Sequence, residues 1–321
     1  AKAGIHYLKD SCLRRNDKNE KMTKTIDPTS IPQQDLHSIL LTAVAPRPIC
    51  FASTIDGQGR VNLSPFSYFN VFSSNPPVLI FSPARSGRDN THKHSYLNVK
   101  EVPEVVINIV NHPIVEQMSL SSTAYDRGVN EFTKSGLTEV PSEKVKPPRV
   151  GEAPVAFECT VQQTIELAET PGAGNLIIAK VELIHINDTY LDDTENLDTQ
   201  KLDLVGRMGG SWYLRAAKEA LFEIPKPIRT KGIGVDALPK GIRESETLTG
   251  NNLGRLGNLE KLPSAEEIAA TAKDDEVLMM SKKVQNDTEG LKKQLHWIAQ
   301  QILTEGDTKR AMAILMHAET L

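Results

Sequence analysis

The chain has 321 residues, of which 39% are hydrophobic and 24% charged, and its formal net charge is -4 at pH 7. This length suffices for one large or two modest domains whose core needs no disulfide or metal. The slightly negative charge without a basic stripe disfavours nucleic-acid binding, and no apolar run approaches the roughly 20 residues of a membrane span, so we expect neither partner.

The first residues differ in character from those that follow. Residues 1–21 are polar and lack the apolar core of a signal peptide, so we expect a disordered or artefactual leader before Met22. Cys12, Cys50 and Cys159 are far apart and form no CxxC pair, which disfavours a disulfide framework and a zinc site. Reduced thiols are typical of a cytoplasmic protein.

Strand patterns dominate the sequence from about Ser38 onward. The turn Asp56-Gly57-Gln58-Gly59 separates apolar runs that predict a hairpin. Further strands are predicted at 66–72, 78–82, 105–110, 155–167 and 176–186, helices at 91–100 and 112–122, and a helix-like segment at 209–222. Many strands with tight turns and few long helices predict a mainly β fold, an antiparallel barrel rather than a doubly wound sheet.

The composition changes after about Thr230. Residues 232–262 are Gly-rich and are predicted to be irregular. Ser264 and Glu267 have the spacing of a capping box, and the apolar residues at 291, 295, 298 and 302 fall on one helical face. We therefore predict a helical extension that packs through an apolar face and carries no chemistry.

The predicted hairpin concentrates neutral polar side chains. Ser53 and Thr54 end its first strand, and Asn62 and Ser64 lie on the second, where side chains two apart share a face. Such donors and acceptors suit the C2 and C4 carbonyls and the N3–H of an isoalloxazine ring. A network that merely stabilises the turn accounts for them equally well.

A basic loop runs into the predicted helix at residues 85–95. Its Arg, Lys, Ser and Thr side chains precede helix-terminal amides, which together favour a phosphate monoester. A solvated basic loop is the alternative. His92 and His94 have no third ligand nearby, so we expect no metal site.

Several common catalytic motifs are missing from the sequence. Residues 172–175 contain G-x-G without the third glycine of a dinucleotide fingerprint. Neither G-x-S-x-G nor a phosphate-binding P-loop motif occurs. The sequence thus supports neither a dinucleotide-binding fingerprint, nor a phosphate-binding P-loop, nor the nucleophile elbow of an α/β-hydrolase.

The order of several segments resembles one family. These segments are R-P-I-C-F-A-S-T from Arg47, N-L-S-P-F-S-Y-F from Asn62, N-P-P-V-L-I-F-S from Asn75 and V-G-R-M-G-G from Val205. Together they are similar to the flavin reductase-like FMN-binding split-barrel family, which includes flavoredoxin-type proteins. The resemblance extends from about Thr42 to Pro227.

The resemblance implies a Greek-key split β-barrel. With the change in composition after Thr230, we expect domains at 22–230 and 231–321, the second of them an irregular and helical C-terminal extension. The resemblance further implies a homodimer that binds FMN and acts as an FMN-dependent oxidoreductase, with NADH or NADPH delivering hydride to the flavin. Two alternatives stay open: a flavoredoxin-type electron-transfer protein served by a protein donor, and a non-redox FMN-binding module. No catalytic side chain is expected, because the flavin carries the redox chemistry.

The resemblance also implies the binding residues. The isoalloxazine and ribityl chain would contact seven residues: Ser53, Thr54, Asn62, Ser64, Phe66, Ser67 and Tyr68. The phosphate would contact five: Ser82, Arg88, Lys93, His94 and Ser95. Arg47 is a further candidate, as a cation that stabilises the reduced flavin, with a structural ion pair as the alternative.

Two departures from the family pattern bear on function. Lys93-His94-Ser95 stands where the family commonly has Lys-Asp-Thr. Residues 172–175 lack the histidine of the Gly-Asp-His found in many flavin reductases, which weakens the prediction of nicotinamide-dependent reduction of free flavin.

Overall fold

The computed structural model describes residues 23–224, 231–284 and 287–321. The predicted leader and the predicted domain boundary at residue 230 lie outside these ranges. The chain divides into one unit of Thr25–Phe222 and a second that contains Glu223–Leu321. None of the helices in the described ranges is long and apolar enough to cross a membrane.

Antiparallel strands make up most of the first unit. They are β1 (Arg47–Pro48), β2 (Cys50–Ile55), β3 (Val61–Phe66), β4 (Phe69–Ser74), β5 (Pro77–Phe81), β6 (Glu104–Ile109), β7 (Glu139–Val140), β8 (Arg149–Val150), β9 (Val155–Glu166), β10 (Asn175–Ile186), β11 (Leu204–Arg207) and β12 (Tyr213–Ala216). Seven of them form one sheet in the order β3-β2-β6-β9-β10-β5-β4. The sheet-rich prediction is confirmed.

The sheet has Greek-key connectivity. Strands β6, β9 and β10 lie side by side in the sheet in chain order, and β5 pairs with β10 although the next strand of this sheet in the chain is β6. A long connection therefore returns the chain across the sheet, which is the defining feature of this motif. That connection, residues 82–103, carries the predicted basic loop.

Strand β2 is buried along its whole length because both of its faces are covered. Cys50 and Ala52 face one apolar cluster with Phe81, while Phe51 faces another with Leu63. A strand packed on both faces has a continuous run of apolar residues, whereas a half-buried strand alternates apolar and polar residues. The run is why the sequence predicts β2 readily.

The helices of the first unit are α1 (Gln33–Ala43), α2 (His94–Glu101), α3 (Val115–Ser121), α4 (Glu131–Ser135) and α5 (Thr199–Leu202). The strand-like prediction from Ser38 is wrong at its start, since residues 38–43 belong to α1. Helix α1 buries none of its residues, so its sequence carries no clear core-facing stripe. Helix α2 begins three residues later than predicted and ends before Pro103.

The helix-like prediction for residues 209–222 is also wrong. Gly210 adopts φ +58°, and Met208 and Trp212 are joined by a backbone hydrogen bond, so the chain reverses into β12 against β11. A single 3₁₀ turn, Lys218–Ala220, follows. Pairing with β11 satisfies the backbone amides and overrides the local helical preference.

The second unit is helical and has its own core. Its helices are α6 (Lys240–Arg243), α7 (Gly250–Gly257), α8 (Ala265–Thr271), α9 (Asp275–Lys283), α10 (Thr288–Glu305) and α11 (Thr308–Ala318). The predicted irregular segment 232–262 thus contains two helices. The predicted capping box of Ser264 and Glu267 is present, and Leu295, Ile298 and Ile302 are buried in the core as predicted.

Candidate functional site

A cavity of about 760 Å³ lies in the first unit between the β2–β3 hairpin and the loop that follows β5. Its wall combines hydroxyl, amide, aromatic and basic side chains. The lining residues are His37, Leu41, Asn62, Ser64, Pro65, Phe66, Ser67, Tyr68, Ser82, Ala84, Arg85, Ser86, Gly87, Arg88, Asp89, Thr91, His92, Lys93, His94, Ser122, Thr123, Ala124, Tyr125 and Glu131. This volume and composition suit a polar aromatic ligand with an anionic end.

The hairpin register brings the predicted polar side chains together only in part. Thr54 pairs with Asn62, and Ala52 with Ser64, so Thr54, Asn62 and Ser64 share one face. Ser53 pairs with Leu63 and therefore faces the opposite side, where its hydroxyl has no hydrogen-bond partner among the described residues.

Helix α2 packs on the face that carries Thr54 and Asn62. Asn62 donates from Nδ2 to the Ser95 hydroxyl over 3.1 Å, and Asn98 donates from Nδ2 to the Thr54 hydroxyl over 3.1 Å. All four side chains are buried. These bonds fix the start of α2 against the hairpin, and thereby set the distance between the hydroxyl wall and the basic loop.

Two cationic side chains of the basic loop have no partner among the described residues. Arg88 and Lys93 are exposed on the cavity wall, and neither side chain has a hydrogen bond or ion pair within residues 23–224. Arg85, by contrast, is engaged, because its Nη2 lies 2.8 Å from Glu166 Oε2. Since no side chain caps the N-terminus of α2, its first amides add to the attraction for an anion.

Two titratable groups of the loop have displaced pKa values. Burial lowers the pKa of His94, with smaller contributions from Arg127 and Lys93, so its ring favours the neutral form. Hydrogen bonds from Thr91 and Ser86 lower the pKa of Asp89 to about 2. Asp89 therefore stays ionised, and its charge is taken up by the loop's own donors.

Arg47 lies outside the cavity wall. Its guanidinium donates to the carbonyl oxygens of Leu41, Val44 and Met208, and it forms no ion pair with any residue that the structure describes. Burial lowers the pKa of Arg47. The two bonds to residues at the end of α1 compensate carbonyls that a helix C-terminus leaves unpaired.

The structure thus places most of the predicted binding residues on one cavity. Nine of them line it: Asn62, Ser64, Phe66, Ser67, Tyr68, Ser82, Arg88, Lys93 and His94. Four do not: Arg47, Ser53, Thr54 and Ser95. Thr54 and Ser95 support the wall from behind through the bonds to Asn98 and Asn62.

Sequence reasoning missed several residues of the wall. Glu131 comes from α4, is 3% exposed, and accepts a hydrogen bond from the Leu63 amide through Oε2. Burial raises the pKa of Glu131. No motif marks this residue, because only the tertiary packing of α4 on β3 brings it to the cavity. Arg85 and His92 belong to the basic loop predicted at residues 85–95, although neither is among the binding residues predicted there.

The residues present fit a flavin mononucleotide. A dianionic phosphate needs cations that are not already neutralised and amides without partners, and Arg88, Lys93 and the start of α2 supply both. The neutral donors and acceptors of Asn62 and Ser64 suit the carbonyl and N–H edge of the ring system.

Comparisons with known proteins identify the family of the first unit. The flavin reductase like domain family matches residues 43–200. An uncharacterized protein of Aquifex aeolicus is 37% identical over 189 residues, which cover 59% of this chain and 94% of that protein. The matched part of the chain corresponds to the first unit, so the helical unit lies largely outside the similarity.

Solved structures show the same fold. Nitrilotriacetate monooxygenase component B from Bacillus cereus superposes with a TM-score of 0.59 at 25% identity, covering 63% of this chain and 98% of that one. A protein with a split barrel domain from Shewanella frigidimarina superposes with a TM-score of 0.53 at 23% identity, covering 62% and 96%. The sheet is therefore a split barrel, and the chain belongs to the flavin reductase-like family, whose chemistry is that of flavin-related oxidoreductases.

Proposed function

We propose that the chain binds FMN in the cavity and passes hydride or electrons from NADH or NADPH through it. One observation carries the proposal: Arg88 and Lys93, two cations without partners in the described ranges, line a cavity whose wall also carries neutral polar and aromatic side chains, while its Arg85 and Asp89 are held by partners of their own. A neutral ring system with a phosphate tail complements this distribution of charge.

The flavin supplies hydride chemistry at its own ring when it is bound. The residues of the chain bind and orient it. The side chain of Asn62, fixed by its hydrogen bond to Ser95, presents its amide to the edge of the flavin ring. The ring of Phe66, whose centroid lies 5.3 Å from that of Phe81, forms an apolar wall of the cavity. Arg88, Lys93 and the amides at the start of α2 hold the phosphate.

We further propose that the first unit forms a homodimer. Large apolar side chains are exposed on α1, β4 and the β11–β12 turn, among them Leu40 at 50%, Phe72 at 64% and Trp212 at 79%. Large exposed apolar patches mark association surfaces, and we infer that these side chains contribute to one. The counterpart we propose is the same surface of a second copy of the chain, because a two-fold dimer pairs the same patch of both subunits.

The visible spectrum of the purified protein, followed by titration with FMN, tests the binding proposal. We expect flavin absorption bands and saturable binding. A protein that stays colourless and takes up no FMN would remove the redox assignment.

Anaerobic mixing with NADH and with NADPH tests the reaction. Rapid bleaching of the flavin absorbance supports direct reduction by a nicotinamide. The turn at residues 172–175 has no histidine, which favours a second candidate, a flavoredoxin-type protein reduced by a protein donor. Slow bleaching by both nicotinamides with fast reduction by a protein donor would establish that alternative, and absence of reduction by any donor would leave a non-redox FMN-binding module.

A further inference from the structure

His92 occupies a defined position behind the basic loop. Its ring lies on the cavity wall and stacks on Tyr96, with ring centroids 4.4 Å apart and an interplanar angle of 15°. Tyr96 in turn donates its hydroxyl to Glu166 Oε1 over 2.5 Å, and Arg85 holds the other carboxylate oxygen at 2.8 Å. The imidazole therefore has a fixed plane before any ligand arrives.

A buried amide determines which nitrogen of His92 carries the proton. Asn175 is fully buried, and its Nδ2 donates to the Pro83 carbonyl over 2.9 Å. This bond fixes the amide orientation, because turning the amide over would set two oxygens against each other. The same Nδ2 lies 3.4 Å from His92 Nδ1.

An amide nitrogen only donates hydrogen bonds, so Nδ1 of His92 must be the acceptor. In the neutral ring the proton then lies on Nε2. Nε2 has no partner within residues 23–224, and His92, Arg88 and Lys93 line the same cavity. A donor without a partner, held in a fixed plane on the wall of a cavity that two free cations also line, suits an anionic oxygen.

We propose that His92 is a specificity residue of this cavity, donating from Nε2–H to a terminal phosphate oxygen of the bound ligand and so favouring phosphorylated over unphosphorylated flavin. The proposal rests on the proposed function, since it takes FMN to be the ligand. It adds a donor whose direction is set by Asn175, whereas Arg88 and Lys93 contribute charge on flexible side chains.

The affinities of FMN and riboflavin for His92→Gln, His92→Asn and His92→Ala test the proposal. The amide nitrogen of Gln reaches the position of Nε2, whereas that of Asn reaches only the position of Nδ1. We expect His92→Gln to retain FMN affinity, and His92→Asn and His92→Ala to lose about tenfold to a hundredfold, as for a hydrogen bond to a charged group. Riboflavin affinity should be unchanged in all three, and His112→Ala, whose side chain lies outside the cavity, is the matched control.

Nitrogen NMR of the ligand-free protein, with labelled histidine, provides a readout independent of binding. We expect a protonated Nε2 and an unprotonated Nδ1 for His92, and loss of that tautomer preference in Asn175→Ala. A neutral His92 ring that carries its proton on Nδ1 in the wild-type protein would overturn the proposal, even if the His92 variants fail to fold.

The outcomes separate this proposal from the proposed function. If wild-type protein binds neither flavin, both fail. If it binds FMN more tightly than riboflavin but His92→Ala weakens both equally, or weakens neither, FMN binding stands and the role of His92 is overturned. The same holds if His92→Asn retains FMN better than His92→Gln.

Discussion

Asn62 on β3 donates a hydrogen bond to the hydroxyl of Ser95, in the first turn of α2, over 3.1 Å. Both side chains are buried, at 4% and 0% exposure. The residues are 33 positions apart, and the bond joins the hairpin to the helix that follows the basic loop. The two walls of the cavity are therefore coupled through this buried pair, in addition to the bond from Asn98 to Thr54.

Asn62→Ala should destabilise the protein by about 1–3 kcal/mol, because the Ser95 hydroxyl loses its donor in a buried site. Urea denaturation of the ligand-free protein measures the change. Ser64→Ala is the matched control, since Ser64 accepts only a longer bond of 3.3 Å from the same Nδ2. Equal losses of unfolding free energy in the two variants would show that the bond to Ser95 contributes no more to stability than the bond to Ser64.

Arg88→Ala should weaken FMN binding about tenfold while leaving riboflavin binding unchanged, because the exposed guanidinium has only the phosphate to interact with. Fluorescence titration with both flavins gives the two affinities. Lys100→Ala, on α2 but off the cavity wall, controls for the loss of a nearby charge. Matching losses for FMN and riboflavin would contradict the phosphate assignment.

Glu131→Gln should stabilise the protein at pH 7.5 and have less effect at pH 4. Burial raises the pKa of Glu131 above its usual 4.5, so the folded state binds this proton more tightly than the unfolded state. The wild-type protein therefore loses stability as the pH rises through the folded pKa. Glutamine cannot ionise, yet it retains an oxygen for the Leu63 amide.

Chemical denaturation of both proteins at the two pH values tests the Glu131 prediction. The quantity to compare at each pH is the difference in the free energy of unfolding between variant and wild type, because the other carboxyl groups titrate alike in both. A difference independent of pH, or a glutamine variant that is less stable at pH 7.5, would contradict the burial argument.

Replacing Phe72 and Trp212 together by aspartate should shift the protein toward monomers, because charge on an apolar contact surface opposes its burial. Sedimentation velocity over a range of concentrations measures the assembly. Ile184→Asp, at a side chain that is 51% exposed on β10, is the control and should leave assembly unchanged. A wild-type protein that is monomeric at every concentration would remove the homodimer proposal.

Leu295→Ala should destabilise the helical unit by about 2–5 kcal/mol, the usual range for truncating a fully buried leucine. Leu295 is 0% exposed at the centre of that unit's own core. Thermal unfolding followed by far-UV circular dichroism reports the loss. Gln294→Ala, one residue away and exposed, should change little, and a similar loss in both would contradict the assignment of the core.

The sequence was most informative where a signal is local. The Asp56–Gly59 turn, the apolar run of β2 and the capping box at Ser264 each depend on residues close in the chain, and each was predicted. Local preference failed at residues 209–222, where pairing of β12 with β11 supplies hydrogen bonds that no neighbouring residue reveals.

For the site, the amino-acid sequence by itself determined the chemical inventory: a hairpin with neutral polar side chains and a basic loop ahead of a helix. Only the tertiary structure decided which of them meet. The strand register places Ser53 on the opposite face of the hairpin from Asn62. The guanidinium of Arg47 donates to backbone carbonyls, and the packing of α4 places Glu131 on the cavity wall. The physical reason is that facing and burial depend on partners distant in the chain, whereas composition and turn chemistry do not.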